Sequence, residues 1–249
     1  MRNFVLALAS AVFLAPLAQA QTAEEIVAKY VKAIGGMERI QAVESLRRTG
    51  WVIRGGGVET AVVRESRRPN LVREETTRLG LTGVRAWDGK TAWKLEPWRG
   101  RRDVEPLSEE ETQAILEDAD FDGPLIDYAR KGLRLELIGR GQVEGTDVFK
   151  LRVTSREGTV FTYSLDAEYF VPIEIDTRRI VRGAEREYEL LLGDYKPVAG
   201  WYLPFSYELR PKGGASGQQT EYDRIEANVP LPAERFAEPG PAGAARPGS

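Results

Sequence analysis

The residue types that supply the commonest side-chain nucleophiles and bases are absent from this chain. Its 249 residues include no histidine and no cysteine, which excludes histidine-dependent triads and thiol chemistry. The motifs HExxH and GxSxG and the P-loop pattern are absent as well. A glycoside hydrolase needs two carboxylates across one cleft, and the spacing of the acidic residues brings no such pair together. We therefore expect no enzymatic activity and no cofactor.

One acidic cluster has the spacing of a metal site. Residues 118–123 read Asp-Ala-Asp-Phe-Asp-Gly, the first half of an EF-hand calcium loop. The twelfth position of that loop should hold a bidentate glutamate, but Ala129 stands there, and Pro124 directly follows the glycine. The sequence therefore predicts no metal site. We expect the aspartates instead to cap a helix that begins at Pro124 and continues to Gly132.

The first twenty residues have the pattern of a secretory signal peptide. Arg2 precedes an apolar run over residues 4–17, and residues 18–20 read Ala-Gln-Ala, a small-x-small cleavage pattern. We predict cleavage between Ala20 and Gln21 and export to the periplasm.

The rest of the chain is predicted to form one domain, residues 21–237, followed by a tail. Residues 238–249 consist mainly of Pro, Gly and Ala, a composition typical of disorder. Because the chain has no cysteine, the domain must be stable through its core alone. The formal net charge of −3 argues against nucleic acid as a partner. We expect a monomer.

Two capping boxes predict where helices begin. Thr22 is followed three residues later by Glu25, and Ser108 by Glu111, so each pair can satisfy two free backbone amides. Apolar residues at helical spacing follow both pairs. Residues 35–36, both glycine, end the first helix.

Most of the remaining chain alternates apolar and polar residues, the pattern of strands with one buried and one solvated face. The clearest segments lie between residues 147 and 209. The strands over residues 58–77 carry charges of both signs, including Arg64 and Glu74. A mixed charge run is typical of a solvated strand face, and we interpret this one in that way.

A hairpin is predicted at Asp88-Gly89, a dipeptide that favours a tight turn. Trp87 and Trp93 lie on its two strands. A two-residue loop would place the two indoles on opposite faces of the sheet, and a three-residue loop would place them on the same face. The sequence leaves both arrangements open.

Several segments together carry a family resemblance. They are residues 25–36 (EIVAKYVKAIGG), 87–93 (WDGKTAW), 119–128 (ADFDGPLIDY), 163–166 (YSLD), 171–173 (VPI) and 193–205 (GDYKPVAGWYLPF). Over residues 22–236 the sequence resembles the LolA-like family of periplasmic outer-membrane lipoprotein-sorting proteins, with LolB and RseB as relatives in fold.

The resemblance implies a mainly β (α+β) fold. This is an incomplete antiparallel β-barrel of about eleven strands, whose concave apolar face is covered by a few short helices. Helices so few would leave an apolar cavity that suits acyl chains. In known carriers of this shape the helices move as a lid. The family's functional arginine, which ties lid to barrel, has no assignable counterpart; Arg47 and Arg48 lie in the corresponding strand by order only.

We therefore predict a non-enzymatic carrier of lipid or lipoprotein acyl chains, with membrane-associated proteins as donor and acceptor. The alternative is a regulatory or scaffolding module of the same fold that binds a protein partner near residues 64–75. Candidate ligand contacts are apolar strand positions, each of which could instead be ordinary core: Trp51, Ile53, Trp93, Phe149, Leu151, Phe161, Tyr163, Ile173, Trp201, Leu203 and Phe205.

Overall fold

The structure, a computed structural model, describes residues 21–100, 103–156, 158–181 and 184–240. The predicted signal peptide lies outside the described residues, as do residues 241–249 of the predicted tail. Both assignments, and the domain boundaries drawn from the sequence, stay predictions. In the described part of the chain, no helix has the length and apolar character needed to cross a membrane.

Among the described residues there are three α-helices, and each begins directly after a threonine, serine or glycine. The helices are α1 (Ala23–Ala33), α2 (Met37–Gln41) and α3 (Glu109–Ala119), with short 3₁₀ helices at Pro97–Arg99 and Ala233–Arg235. Both predicted capping boxes are confirmed. The Thr22 hydroxyl accepts a hydrogen bond from the amide of Glu25, and the Ser108 hydroxyl accepts one from the amide of Glu111, each at 3.2 Å.

The helix predicted from Pro124 to Gly132 is wrong. These residues form a series of turns. Gly123, Asp127 and Gly132 all have positive φ angles, which interrupt a right-handed helix. The proline was compatible with a helix start, but the left-handed residue at 127 was not predictable from residue type.

In the part of the chain that the structure describes, thirteen strands form a single antiparallel sheet. They are β1 (Ser45–Arg54), β2 (Val58–Arg67), β3 (Leu71–Arg78), β4 (Leu81–Trp87), β5 (Ala92–Leu95), β6 (Glu105–Pro106), β7 (Arg134–Val143), β8 (Thr146–Thr154), β9 (Val160–Asp166), β10 (Pro172–Val181), β11 (Ala184–Val198), β12 (Trp201–Pro211) and β13 (Gln218–Ala227).

The spatial order of the strands leaves the sheet open. It runs β6-β5-β4-β3-β2-β1-β13-β12-β11-β10-β9-β8-β7, so β6 and β7 are its two edges. The first strand pairs with the last, with Leu46 opposite Ala227. This confirms an incomplete antiparallel barrel, with thirteen strands where about eleven were expected.

One face of the sheet, here called the inner face, carries all three α-helices. Apolar residues of α1, including Ile26 and Val27, pack on β8 and β9. Residues at the end of α1 and in α2, including Ile34 and Ile40, pack on β1, β12 and β13. The sequence forms these layers because the helices and the strands each present one apolar stripe, and burying the two stripes together removes both from water.

The opposite, outer face is covered in part by a C-terminal strap, residues 231–236. Phe236 is fully buried, and its carbonyl oxygen accepts a hydrogen bond of 2.9 Å from the indole nitrogen of Trp93. Arg235 bridges Glu65 and Glu75 at 2.7 Å each. This strap was not predictable from the sequence, because its residues have no periodic pattern.

Candidate functional site

A cavity of about 620 Å³ lies between α3 and the inner face of the sheet. It opens near one end of the sheet, where β1 and β3 finish. Its walls are contributed by α3, by β1–β5 and by β11–β13. A volume of this size is within the range of small-molecule sites in proteins.

One wall of the cavity is apolar. It is formed by Val52, Val62, Leu190 and Leu209, which all point to the inner face of their strands. Their alternation with polar neighbours puts them on one face, as expected for strands. This wall offers a surface on which an apolar ligand could be removed from water.

Two tyrosines extend the apolar wall without adding charge. Tyr207 and Tyr222 meet edge to face with ring centroids 5.8 Å apart. Burial raises the pKa of Tyr207 to about 12 and also raises the pKa of Tyr222. Both hydroxyls are therefore neutral near pH 7.

The facing wall is ionic and connects the sheet to α3. Asp118, on the last turn of α3, forms ion pairs with Arg64 and with Arg85, the latter at 3.4 Å. Glu74 lies between the same two arginines, 3.5 Å from Arg64 and 3.0 Å from Arg85. Burial alone would raise the pKa of Glu74, but the two arginines outweigh it and hold that pKa below its ordinary value.

A second ion pair holds the beginning of α3. The Lys94 ammonium donates to both carboxylate oxygens of Glu111, at 2.6 and 2.8 Å. The apolar contacts of α3 with the sheet are few by comparison, a small cluster around Ile115 and Ala119. Charged pairs at both ends of the helix therefore contribute much of its attachment to the sheet.

The aspartates of the calcium-like sequence are all paired with cations. Besides Asp118, the carboxylate of Asp122 accepts two hydrogen bonds from Arg68, at 2.6 and 2.7 Å, and Asp120 pairs with Lys131. Among the described residues, no group of three or more acidic side chains could hold a metal ion. The aspartates do not cap a following helix, since that helix does not form.

The interpretation of residues 58–77 as a solvated charged face is wrong. Arg64 and Glu74 face the cavity on the inner side of the sheet. Glu65 is 1% exposed and lies on the outer face, where it pairs with Arg47 at 2.9 Å and with Arg235. The charges on both faces are therefore mostly paired and covered by other parts of the chain.

The predicted ligand contacts on β8 and β9 are on the inner face but away from the cavity. Phe149, Leu151 and Tyr163 are buried against α1, and Phe161 is partly buried in the same cluster. In this structure they belong to the core beneath α1.

The predicted row on β12 is also core. Trp201, Leu203 and Phe205 are 4–7% exposed and pack against α2 and the segment that contains Phe121. The rings of Phe121 and Trp201 are 6.0 Å apart. The sequence placed these residues on the correct face, but it could not indicate that other parts of the chain pack against this part of the inner face.

Three of the remaining predicted contacts lie on the outer face. Trp51 is 42% exposed and donates to Asp223 at 3.0 Å, and Ile53 has the same parity in β1. Trp93 contacts the strap. These three residues therefore do not line the cavity beneath α3, since outer and inner faces both carry large apolar residues.

The position of Ile173, the last of the predicted ligand contacts, and the arrangement of the two tryptophans in the predicted hairpin both depend on strand register. Ile173 lies at a register shift between Pro172 and Glu174, so it leaves the alternation and joins neither large core cluster. Four residues join β4 and β5, and Trp93 pairs with Ala86 rather than with Trp87. The two tryptophans therefore lie on opposite faces.

The sequence analysis did not identify the ionic wall of the cavity, which consists of Arg64, Glu74, Arg85 and Asp118. Alternation alone could have found part of it, since Arg64 has the same parity as the buried Val62. A charged residue in phase with buried apolar residues indicates a buried ion pair or a cavity. The partners on α3 could not be assigned without the fold.

No protein-family model matches the sequence, and no curated protein matches it. Solved structures do share its fold. A DUF1329 family protein from Desulfovibrio piger has a TM-score of 0.61 at 12% identity, covering 86% of this chain and 97% of the other. A LolA superfamily protein from Nitrosomonas europaea has a TM-score of 0.58 at 15% identity, covering 88% and 99%.

A third structure is a putative outer membrane lipoprotein-sorting protein domain from Vibrio parahaemolyticus. Its TM-score is 0.57 at 14% identity, and the match covers 85% of this chain and 94% of that one. In all three cases the match covers at least 85% of this chain and at least 94% of the other. The chain therefore has the LolA-like fold.

Proposed function

We propose that this protein is a non-enzymatic periplasmic carrier that binds acyl chains of a lipid or lipoprotein in the cavity beneath α3. The observation that carries the proposal is the cavity of about 620 Å³ with its apolar wall. Each methylene buried there would contribute about 0.8 kcal/mol. Ten of them would supply on the order of 8 kcal/mol, before the costs of ordering the ligand are subtracted.

The way α3 is attached supports exchange of a ligand. The helix is held by ion pairs at both ends, while the larger apolar clusters involve α1, α2 and the segment after α3. The helix could move away from the sheet with little exposure of those clusters. Such a movement would open the cavity while the rest of the domain remains folded.

The periplasmic location rests on the signal-peptide pattern of residues 1–20. It is also consistent with a structural neighbour described as an outer membrane lipoprotein-sorting domain. Donor and acceptor proteins at the two membranes would then be the partners of the carrier.

A cavity-filling substitution tests the proposal. Leu209 lines the cavity and is only partly buried, so Leu209→Trp should place an indole in the ligand's space without unfolding the domain. We expect binding of a fluorescent fatty acid to weaken at least about ten-fold, the equivalent of ~1.4 kcal/mol. Fluorescence titration measures the affinity, and urea unfolding checks the stability.

The matched control is Leu191→Trp. Leu191 is next to the cavity-lining Leu190 in β11 and therefore points to the outer face. This variant should bind like the wild-type protein. Equal binding by all three proteins would contradict the cavity assignment. A second experiment is native mass spectrometry of protein purified from a bacterial periplasm. If it shows no bound lipid, and the protein also fails to bind added fatty acid, the carrier proposal is contradicted.

A second candidate function is a regulatory or scaffolding module that binds a protein partner. The observation in its favour is that α1 and α2 cover large parts of the inner face with apolar core, which limits the space for a ligand. The surface first considered for such a partner, residues 64–75, is a poor one, since Arg64 faces the cavity and Glu65 is buried. Absence of lipid in both experiments above would favour this second candidate.

A further inference from the structure

The cavity contains more basic than acidic side chains. Five cations line it: Arg54, Arg64, Arg78, Arg85 and Lys94. Three of them, Arg64, Arg85 and Lys94, are paired with carboxylates of Glu74, Asp118 and Glu111. The fourth carboxylate of the lining, Glu96, has an interaction of its own.

The two other cations have no carboxylate partner among the described residues. Arg54 makes no ion pair or hydrogen bond in that part of the chain, and Arg78 contacts only an aromatic ring there. Both are exposed, as required of residues at the mouth of the cavity. An anion could therefore approach them without displacing an existing partner.

The topology brings these two arginines to the same end of the sheet. Arg54 is the last residue of β1, and Arg78 is the last residue of β3. Both strands are antiparallel to β2, which lies between them. They therefore run in the same direction and finish at the same end of the sheet. Because both residues line the cavity and are exposed to solvent, we place the mouth of the cavity at this end of the sheet.

A tryptophan holds Arg78 in place. The guanidinium of Arg78 lies over the indole of Trp98, 5.7 Å from its centroid. The indole in turn lies against Gly83 of β4, where a β-carbon would overlap it. The missing side chain at position 83 is therefore what allows Trp98 to lie across the mouth and support Arg78.

The charge around Arg54 also favours an anion. Arg54 is exposed but loses part of its hydration, and this partial desolvation, followed by the neighbouring Arg78, lowers its pKa; the attraction of Glu74 is smaller. A bound anion would offset the repulsion between the two guanidinium groups. The apolar wall of Val52, Val62, Leu190 and Leu209 begins beside them.

We propose that the ligand is an anionic amphiphile, with a phosphate or carboxylate headgroup bound by Arg54 and Arg78 at the mouth and its acyl chain on the apolar wall. This inference rests on the proposed function, since it needs an acyl chain in the same cavity. Arginine is suited to either headgroup because its planar donors match two oxygens at once.

Binding of three defined probes tests the inference: dodecyl phosphate, dodecanol with the same chain and no charge, and inorganic phosphate without a chain. Wild-type protein should bind dodecyl phosphate at least about ten-fold more tightly than either of the others, because charge-assisted hydrogen bonds add to chain burial. Isothermal titration calorimetry or competition with a fluorescent fatty acid measures each affinity.

The variant is Arg54→Gln/Arg78→Gln. Its affinity for dodecyl phosphate should fall at least about ten-fold, while its affinity for dodecanol stays within about two-fold of the wild type. The matched control removes two charges elsewhere, Arg130→Gln/Arg224→Gln, at side chains that are 83% and 70% exposed and outside the cavity lining. This control should bind all probes like the wild type.

The outcomes separate the two proposals. If dodecyl phosphate and dodecanol bind equally well to wild type and variant, the headgroup assignment fails and the acyl-chain cavity stands. If inorganic phosphate binds as tightly as dodecyl phosphate, the arginines form a site for a free anion and the amphiphile is overturned. If neither chain-bearing probe binds, the acyl-chain carrier itself fails.

Discussion

At Gly50 the backbone of β1 approaches the backbone of β13 so closely that no side chain fits. A β-carbon at this position would overlap the carbonyl oxygen of Glu221. The register between the two strands shifts at the same place, between Thr49 and Gly50. The residue therefore determines how the first strand of the sheet joins the last one.

We expect Gly50→Ala to destabilise the domain by roughly 2–4 kcal/mol, because the two strands would have to separate locally. Gly55→Ala is the matched control, since nothing lies within 4 Å of a β-carbon there. That change should alter the free energy of unfolding by less than about 1 kcal/mol. Urea unfolding measures both, and equal effects would show that the close approach is not important.

The row Trp201, Leu203 and Phe205 illustrates what residue patterns can and cannot predict. Their alternation placed them correctly on the apolar face of the sheet. Whether such a face is covered by helices or by a ligand depends on contacts from residues far away in the sequence. We expect a glutamate at any of the three positions to destabilise the fold, because it would bury an unpaired charge. Such a variant would therefore not test ligand binding.

At the scale of elements, α3 differs from α1 and α2 in what holds it to the sheet. Apolar contacts dominate for α1 and α2, and carboxylates pair with Arg64, Arg85 and Lys94 for α3. The strength of its attachment should therefore depend on pH. Burial alone would raise the pKa of Glu111, but hydrogen bonds from Lys94 and Ser108 outweigh burial and lower that pKa. The pKa of Glu74 is lowered as well.

Acid should weaken this attachment. A carboxyl whose pKa is lowered by folding stabilises the folded state fully above its unfolded pKa, about 4.3 for glutamate. That contribution is lost as the pH falls through the lowered folded-state value. We expect the free energy of unfolding, measured in urea between pH 7 and pH 3, to fall on the acid side of about pH 4.5.

Substitution of Glu74 should show where this loss originates. Glu74→Gln should cost roughly 3 kcal/mol at pH 7, because two partly buried arginines lose a partner. Its further loss on acidification should be smaller than that of the wild type. Glu136→Gln is the control, as its ion pair with Arg152 is half exposed and 3.6 Å long. An unchanged acid loss in Glu74→Gln would contradict the assignment.

The elements themselves were predicted unevenly, for physical reasons. Capping boxes located α1 and α3, because a helix start is determined by local hydrogen bonds. Strand β11 was harder to locate, because residues 190–192 are three consecutive leucines between charged segments, without alternation. The helix predicted after Pro124 does not form, because Asp127 has a left-handed backbone conformation. The neighbouring residues do not predict that conformation.

At the scale of the whole molecule, the strap leads from the last strand, β13, back to the first five strands and packs on their outer face. Arg235 and Phe236 follow the last strand, yet they contact Glu65 and Trp93 from the first five strands. The strap thus covers apolar surface that would otherwise be exposed opposite the cavity. The sequence could not predict it, since the contacts are all between distant residues.

We expect Phe236→Ala to destabilise the domain by roughly 3–5 kcal/mol, because the fully buried ring would leave a cavity beside Trp93. Glu234→Ala, at an exposed position of the same strap, should have an effect below about 0.5 kcal/mol. Thermal unfolding followed by tryptophan fluorescence compares the two. Equal stability of both variants would indicate that the strap contributes little.

The pairing of β1 with β13 has a consequence for how the chain acquires its structure. The hairpins of β1–β6 and of β7–β12 join neighbours in sequence and can form early, but β1 must wait for a strand near the end of the chain. Contacts of such long sequence separation slow folding. Until β13 emerges, a growing chain presents unpaired strand edges and an uncovered apolar face, which are surfaces prone to aggregation.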